Sequence, residues 1–135
     1  MIYLDSCAIV KLIVQEDESE ALNSWLRQRA DIPVLTSKLS EVEVPRAVRR
    51  AAPGILGSVS TVLRYLHRFE INDVVRATAA AYIDPGLRSP DSIHLATAGA
   101  VISSGKKITA FITYDKRLAS AAVEAGFTVA APGAQ

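Results

Sequence analysis

Met1-Ile2-Tyr3-Leu4-Asp5-Ser6-Cys7-Ala8-Ile9-Val10-Lys11-Leu12-Ile13 passes from a short apolar strand into a helix with no loop between them. Ile2 to Leu4 has the length and apolarity of a buried strand, and Ile9, Val10, Leu12 and Ile13 supply the first helical stripe. Asp5 stands at the junction. A strand that feeds a helix directly is the start of a βα unit, and the remaining chain repeats the alternation.

Outward from this stretch, a helix is expected over about Glu18 to Gln28, with Ala21, Leu22, Trp25 and Leu26 on one face. Pro33 to Leu35 reads as a second strand, and Ser37 or Ser40 can cap the helix after it. Residues 56–68 read as one helix with Leu56, Val59, Leu63 and Leu66 as its stripe, followed by a short strand over Phe69 to Ile71. Val74 to Tyr82 is helical, Asp84-Pro85-Gly86 opens a loop, and Ser92 to Ile102 is an apolar helix. Ala110 to Thr113 is a strand, Lys116 to Ala125 a helix ended by Gly126, and Phe127 to Val129 the last strand. Such alternation predicts an α/β domain, with a mostly parallel, twisted sheet and helices on both faces. It is one domain, residues 1–131, with 132–135 as a short frayed tail.

Composition narrows the class. Half of the 135 residues are hydrophobic and 21% are charged, the balance of a globular protein. The single cysteine, Cys7, cannot form an internal disulfide; its apolar neighbours suggest a small buried side chain. No apolar run approaches the roughly 20 residues that cross a bilayer and no secretion leader is visible, so a cytoplasmic protein is expected.

Four acids carry the chemistry. In open α/β sheets, ligands bind beyond the carboxyl ends of the strands. Asp5 and Asp115 each follow a strand, Asp91 opens a buried helix in Ser89-Pro90-Asp91-Ser92-Ile93-His94-Leu95, and Glu43 sits early in the helix after the second strand. Each also has a structural explanation: the aspartates as helix caps, Glu43 as a capping-box partner of Ser40. Together they are harder to explain structurally. Two carboxylates about 4 Å apart repel by roughly 4 kcal/mol at an effective dielectric of 20. A cluster of four therefore calls for a cation, and oxygen-only ligands select Mg²⁺, with Mn²⁺ as a substitute. Metals so held activate water for phosphoryl displacement. No Gly-rich phosphate loop or nucleophilic serine elbow is present. His67 reads as a solvated residue, and His94, one helical turn after Asp91, as a core or rim histidine with the option of orienting that carboxylate.

These segments resemble VapC-type toxins of the PIN-domain family. The opening dodecapeptide, Thr36-Ser37-Lys38-Leu39-Ser40-Glu41-Val42-Glu43-Val44, Leu87 to Ala98 and Thr113-Tyr114-Asp115-Lys116-Arg117-Leu118 match the four family motifs in order. The resemblance implies a single PIN-like domain and a Mg²⁺-dependent endoribonuclease. It further implies restraint by a VapB-type antitoxin, a homodimer, and RNA products with 5′-phosphate and 3′-hydroxyl ends. By position, Asp5, Glu43, Asp91 and Asp115 are the catalytic and metal-binding quartet, with Glu41 the competitor for the second place. Pro45 departs from the family pattern and is expected to kink its helix. Ser6 and Thr113 match polar positions beside the site, with capping and strand-end hydroxyls as the alternative.

Apart from the quartet, fifteen basic residues face ten acids, an excess of five positive charges. Arg46, Arg49, Arg50, Arg64, Arg68, Lys116 and Arg117 are placed to meet RNA phosphates. The apolar stripes around Trp25 and Leu26 and around Leu63 and Leu66 are expected to supply dimer and antitoxin surfaces. Two rival readings stand: another phosphate-handling α/β enzyme, and a non-catalytic domain that binds RNA or a partner. A dehalogenase-like site wants an acid where Cys7 stands. A receiver domain wants paired acids after strand one and a lysine after the last strand, and has neither here.

Overall fold

The computed structural model describes residues 1–134; Gln135, the end of the expected tail, lies outside the described residues. Five strands form one sheet in the order β3-β2-β1-β4-β5, and every pairing is parallel. They are β1 (Ile2–Leu4), β2 (Val34–Ser37), β3 (His67–Phe69), β4 (Ala110–Ile112) and β5 (Val129–Ala130). β1 lies at the centre, paired Ile2 to Val34 on one side and Ile2 to Ala110 on the other. The chain builds outward from it in both directions, which makes the β1–β4 boundary the point where strand order switches.

Period-two alternation divides the core. Ile2, Leu4 and Ile112 point to one face, where they meet Ile9 of α1 (Ser6–Lys11), Leu22 of α2 (Ser19–Arg27), Val44 and Val48 of α3 (Ser40–Ala51) and Leu63 of α4 (Ser58–Arg64). Tyr3, Leu35 and Phe111 point to the other, against Leu95 and Val101 of α6 (Ser89–Ser103) and Leu118 of α7 (Lys116–Glu124). α5 (Asp73–Ala81) packs on α6 and is capped by Asn72, whose side chain accepts from the Val75 N–H. Helices therefore cover both faces, and β1 is fully buried, as a central parallel strand must be. Gly126, at φ +95°, supplies the left-handed residue that ends α7.

Several expectations need correction. The helix expected over 56–68 is shorter. A 3-10 turn at Pro53–Ile55 precedes α4, and the chain leaves α4 in time for His67 and Phe69 to pair with Leu35 and Ser37. Edge pairing overrides helical periodicity there, so β3 precedes the expected Phe69 to Ile71; His67 is exposed as expected. α6 starts three residues early because Ser89 and Pro90 occupy its first turn, where a missing N–H costs nothing. Pro45 lies inside α3 without breaking it. Leu63 and Leu66 are buried, and Trp25 and Leu26 pack partly buried against the same core, so neither stripe is the free apolar surface foreseen. Pro132 is tied down rather than frayed: the Tyr114 hydroxyl donates to its carbonyl at 2.8 Å. No helix among the described residues is long and apolar enough to cross a membrane.

Candidate active site

Asp5 and Asp115 are built alike. Each takes an extended backbone between a strand and a helix and turns one carboxylate oxygen back as an N-cap. Asp5 Oδ1 accepts from the Ala8 N–H and Asp115 Oδ1 from the Leu118 N–H, both at 2.9 Å. Thr113 locks the two junctions together. Its hydroxyl donates to Asp5 Oδ2 at 2.5 Å and accepts from the Asp115 N–H at 3.1 Å. In both aspartates Oδ1 caps a helix, while Oδ2 is engaged by Thr113 in Asp5 and reached by Arg88 in Asp115.

Glu43 and Asp91 cap nothing. Ser40 is already helical, so the capping box with Glu43 does not form. The Ser40 hydroxyl instead bonds Thr36 at 2.8 Å and Ser6 at 3.0 Å. Ser6 donates to Glu43 Oε1 at 2.7 Å, and His94 Nε2 lies 2.9 Å from the same oxygen. Glu41 points elsewhere and pairs with Arg68 at 2.9 Å on the surface. Asp91, the third residue of α6, receives a hydrogen bond from Arg88 Nε at 3.3 Å. The same guanidinium reaches Asp115 Oδ2 at 3.5 Å and so bridges two members of the quartet.

Asp5, Glu43 and Asp91 line one cavity of about 150 Å³, with Ser6, Cys7, Arg88 and His94 in its wall. Asp115 lines the adjoining cavity, about 430 Å³, with Cys7, Lys11 and Arg50. Three of the four acids thus converge, and the fourth stands across the shared rim. Two larger grooves of about 510 Å³ lie elsewhere; that between α3 and α4 has Arg49, Arg64 and Arg68 around Leu56, Val59 and Leu63.

The electrostatics separate the acids. Burial raises the pKa of Asp5, against the pull of its hydrogen bonds from Thr113 and Ala8, and the charge of Asp91 adds to the rise. Burial also raises Asp91, helped by Asp115 and opposed by Arg88. Glu43 goes the other way: its desolvation is outweighed by the hydrogen bonds from His94 and Ser6, and its pKa falls. Cys7 is exposed at the rim rather than buried, because its side of α1 faces the acids and not the core. Crowding by the pocket wall, then the charges of Asp5, Glu43, Asp115 and Asp91, push its thiol up to about 12, which withholds the nucleophilic thiolate.

Sequence reasoning missed two participants. Arg88 is signalled only by its place three residues before Asp91. His94 was linked to Asp91 by helical spacing, yet it bonds Glu43, 51 residues away.

The donor set suits a hard divalent cation. It consists of carboxylate oxygens, two of them with pKa values raised by burial and mutual repulsion. Among the described residues no three such groups close into a ready-made cage.

A profile of the PIN domain family matches residues 2–124. Ribonuclease VapC35 of Mycobacterium tuberculosis is 51% identical over 133 residues, which cover 98% of each chain. Ribonuclease VapC47 of the same species is 37% identical over 137 residues, covering 99% of this chain and 98% of that one. Among solved structures, M. tuberculosis VapC20, a sarcin–ricin-loop-cleaving toxin, is similar with a TM-score of 0.71 at 15% identity, over 98% of this chain and all of that one. FitAcB of Neisseria gonorrhoeae gives 0.68 at 18% identity over 96% of both chains.

Proposed function

The chain belongs to the PIN-domain family, and from that premise we propose that it is a Mg²⁺-dependent endoribonuclease, the toxin of a type II toxin–antitoxin pair. The observation that carries this reading is the gathering of Asp5, Glu43 and Asp91 around one small cavity with Asp115 on its rim. They come from four separate places in the chain, and capping, which explains Asp5 and Asp115, gives no reason for Glu43 and Asp91 to meet them. The relatives named as VapC ribonucleases support RNA as substrate and a VapB-type antitoxin as restraint.

Asp5, Asp91 and Asp115 are the residues to hold the ion, and Glu43 completes the site or orients the attacking water. The chemistry supplied by such an ion when bound is a water of lowered pKa and compensation of charge on a phosphate oxygen; Mn²⁺ can serve in its place. This chain's own residues then fix geometry. Thr113 holds Asp5 Oδ2, Ser6 holds Glu43 Oε1, and Arg88 offers an exposed guanidinium between Asp91 and Asp115 that can turn to a phosphate. Arg46, Arg49, Arg50 and Arg64 form no ion pair among the described residues, which leaves them available to RNA phosphates. Single-stranded or loop RNA is the accessible form.

The test is cleavage of RNA by the purified chain freed of antitoxin. EDTA should stop it and Mg²⁺ or Mn²⁺ should restore it. Undiminished cleavage in chelator places the chemistry elsewhere, and metal-replete protein that binds RNA without cutting it favours the non-catalytic reading.

A further inference from the structure

We propose that His94 is a positioning residue for Glu43, held in a single tautomer by Tyr3 so that its Nε2–H fixes one oxygen of the carboxylate and leaves the other to the cavity.

His94 sits on the sheet-facing side of α6 and is 2% exposed. Both ring nitrogens are engaged: Nδ1 lies 2.7 Å from the Tyr3 hydroxyl, and Nε2 lies 2.9 Å from Glu43 Oε1 and 3.1 Å from Ser6 Oγ. Tyr3 is wholly buried on β1, stacked on Phe111 with ring centroids 4.9 Å apart and edge-on to His94. It is packed in place, and its phenol is an O–H donor at neutral pH. A phenol that donates to Nδ1 makes that nitrogen the acceptor, and the ring proton must then be on Nε2. There it faces Glu43. The order Tyr3–His94–Glu43 therefore runs from the rigid centre of the sheet to a half-exposed carboxylate.

Glu43 needs such a tether. Pro45, two residues on, brings no N–H to the Glu41 carbonyl, so the turn that carries Glu43 has one backbone restraint fewer. Ser6 and His94 both take Oε1, and among the described residues no hydrogen bond occupies Oε2. Outer contacts of this kind orient ligating carboxylates, and their loss typically costs about 10–100-fold in metal affinity or activity.

This inference rests on the proposed reading of Glu43 as a site acid, and the experiment separates the two. His94→Gln places an amide N–H where Nε2 stood; His94→Asn places one where Nδ1 stood and cannot reach Glu43. Mn²⁺ titration by calorimetry and the split of kcat from KM are measured for wild type and both variants. His94→Asn should lose about 10–100-fold in Mn²⁺ affinity, with kcat falling and KM for RNA little changed, and His94→Gln should recover most of it. Equal affinities in all three proteins, with wild type active, overturn the positioning role and leave the nuclease reading intact. A wild type that neither binds Mn²⁺ nor cleaves overturns both. If the variants do not fold, nitrogen NMR of ¹⁵N-histidine in wild type decides. The Nε2–H tautomer is expected at His94, with the preference lost in Tyr3→Phe, and an Nδ1–H tautomer overturns the proposal.

Discussion

The two acids at the strand–helix junctions and the two within helices have the same charge and stand around two adjoining cavities, but they are held by different means. Asp5 and Asp115 each give one oxygen to a helix N-terminus and are interlocked through Thr113. Glu43 and Asp91 cap no N–H of their own helices and lend them only a first-turn charge; Ser6, His94 and Arg88 reach their side chains. A junction acid is thus part of the fold and part of the site at once. On the proposed reading, a helix acid serves the site far more than its own helix. Where a residue has only a functional role, removing it should cost activity without costing stability.

The largest effect tests both halves of the comparison. Asp5→Ala and Asp91→Asn should each lower RNA cleavage at least about 100-fold, the scale of losing a group that compensates charge in the transition state. Their stabilities should part. Asp5→Ala removes the α1 cap and strands the Thr113 hydroxyl, a loss of about 1 kcal/mol that relief of the buried Asp5 charge only partly offsets. Near-wild-type, metal-dependent cleavage by Asp5→Ala would remove the junction acids from the chemistry.

This difference also explains what could be read from the sequence. Asp5 and Asp115 were legible because a strand that runs straight into a helix leaves one position at the sheet's carboxyl edge, and that position is local. The parallel sheet and two-sided helix cover were legible for the same reason. Asp91 is expected at the mouth of its helix but lies two residues inside it, since Ser89 and Pro90 look like loop residues until a helix is seen to begin on them. Glu43 satisfied a capping-box spacing that the structure does not use. Its actual partners lie 37 and 51 residues away. His94 and Cys7 show the limit most clearly. Helical spacing and neighbouring residues describe one element, whereas Tyr3–His94–Glu43 joins a strand and two helices. No single-element rule reports which side of α1 faces another element's acids.

A smaller effect concerns the cavity on the Asp115 side. Arg50 lines it and forms no ion pair among the described residues, whereas Arg68, across the α3–α4 groove, is engaged by Glu41. If the junction side receives the substrate, Arg50→Ala should weaken RNA binding by inactive Asp91→Asn protein and reduce the salt slope by about one. Arg68→Ala should change it less. Equal slopes for both variants, read by fluorescence anisotropy at several salt concentrations, would mean that the junction side has no special part in RNA binding.

The smallest effect is the stability of Asp91→Asn, and here the expected sign is unusual for a buried charged residue. Asp91 has its pKa raised first by burial and then by the charge of Asp115. A raised native pKa means that the ionised form is penalised by folding. Its contribution to stability is complete below the ordinary value near 3.8 and is lost as pH rises through the native value. At pH 7 in chelator, wild type therefore bears the full penalty and Asp91→Asn does not. Two terms oppose the gain: the favourable charge in the first turn of α6, worth about 0.3–1 kcal/mol, and the contact with Arg88. The Arg88 side chain is 68% exposed, so that contact is worth little. Asp91→Asn should melt at or up to a few degrees above wild type in EDTA, at roughly 4 °C per kcal/mol. The gap should narrow as pH falls toward 4, and Mg²⁺ should raise wild type more than the variant. A melting point below wild type in EDTA, with a gap that persists on acidification, would return Asp91 to the class of acids that serve their own helix.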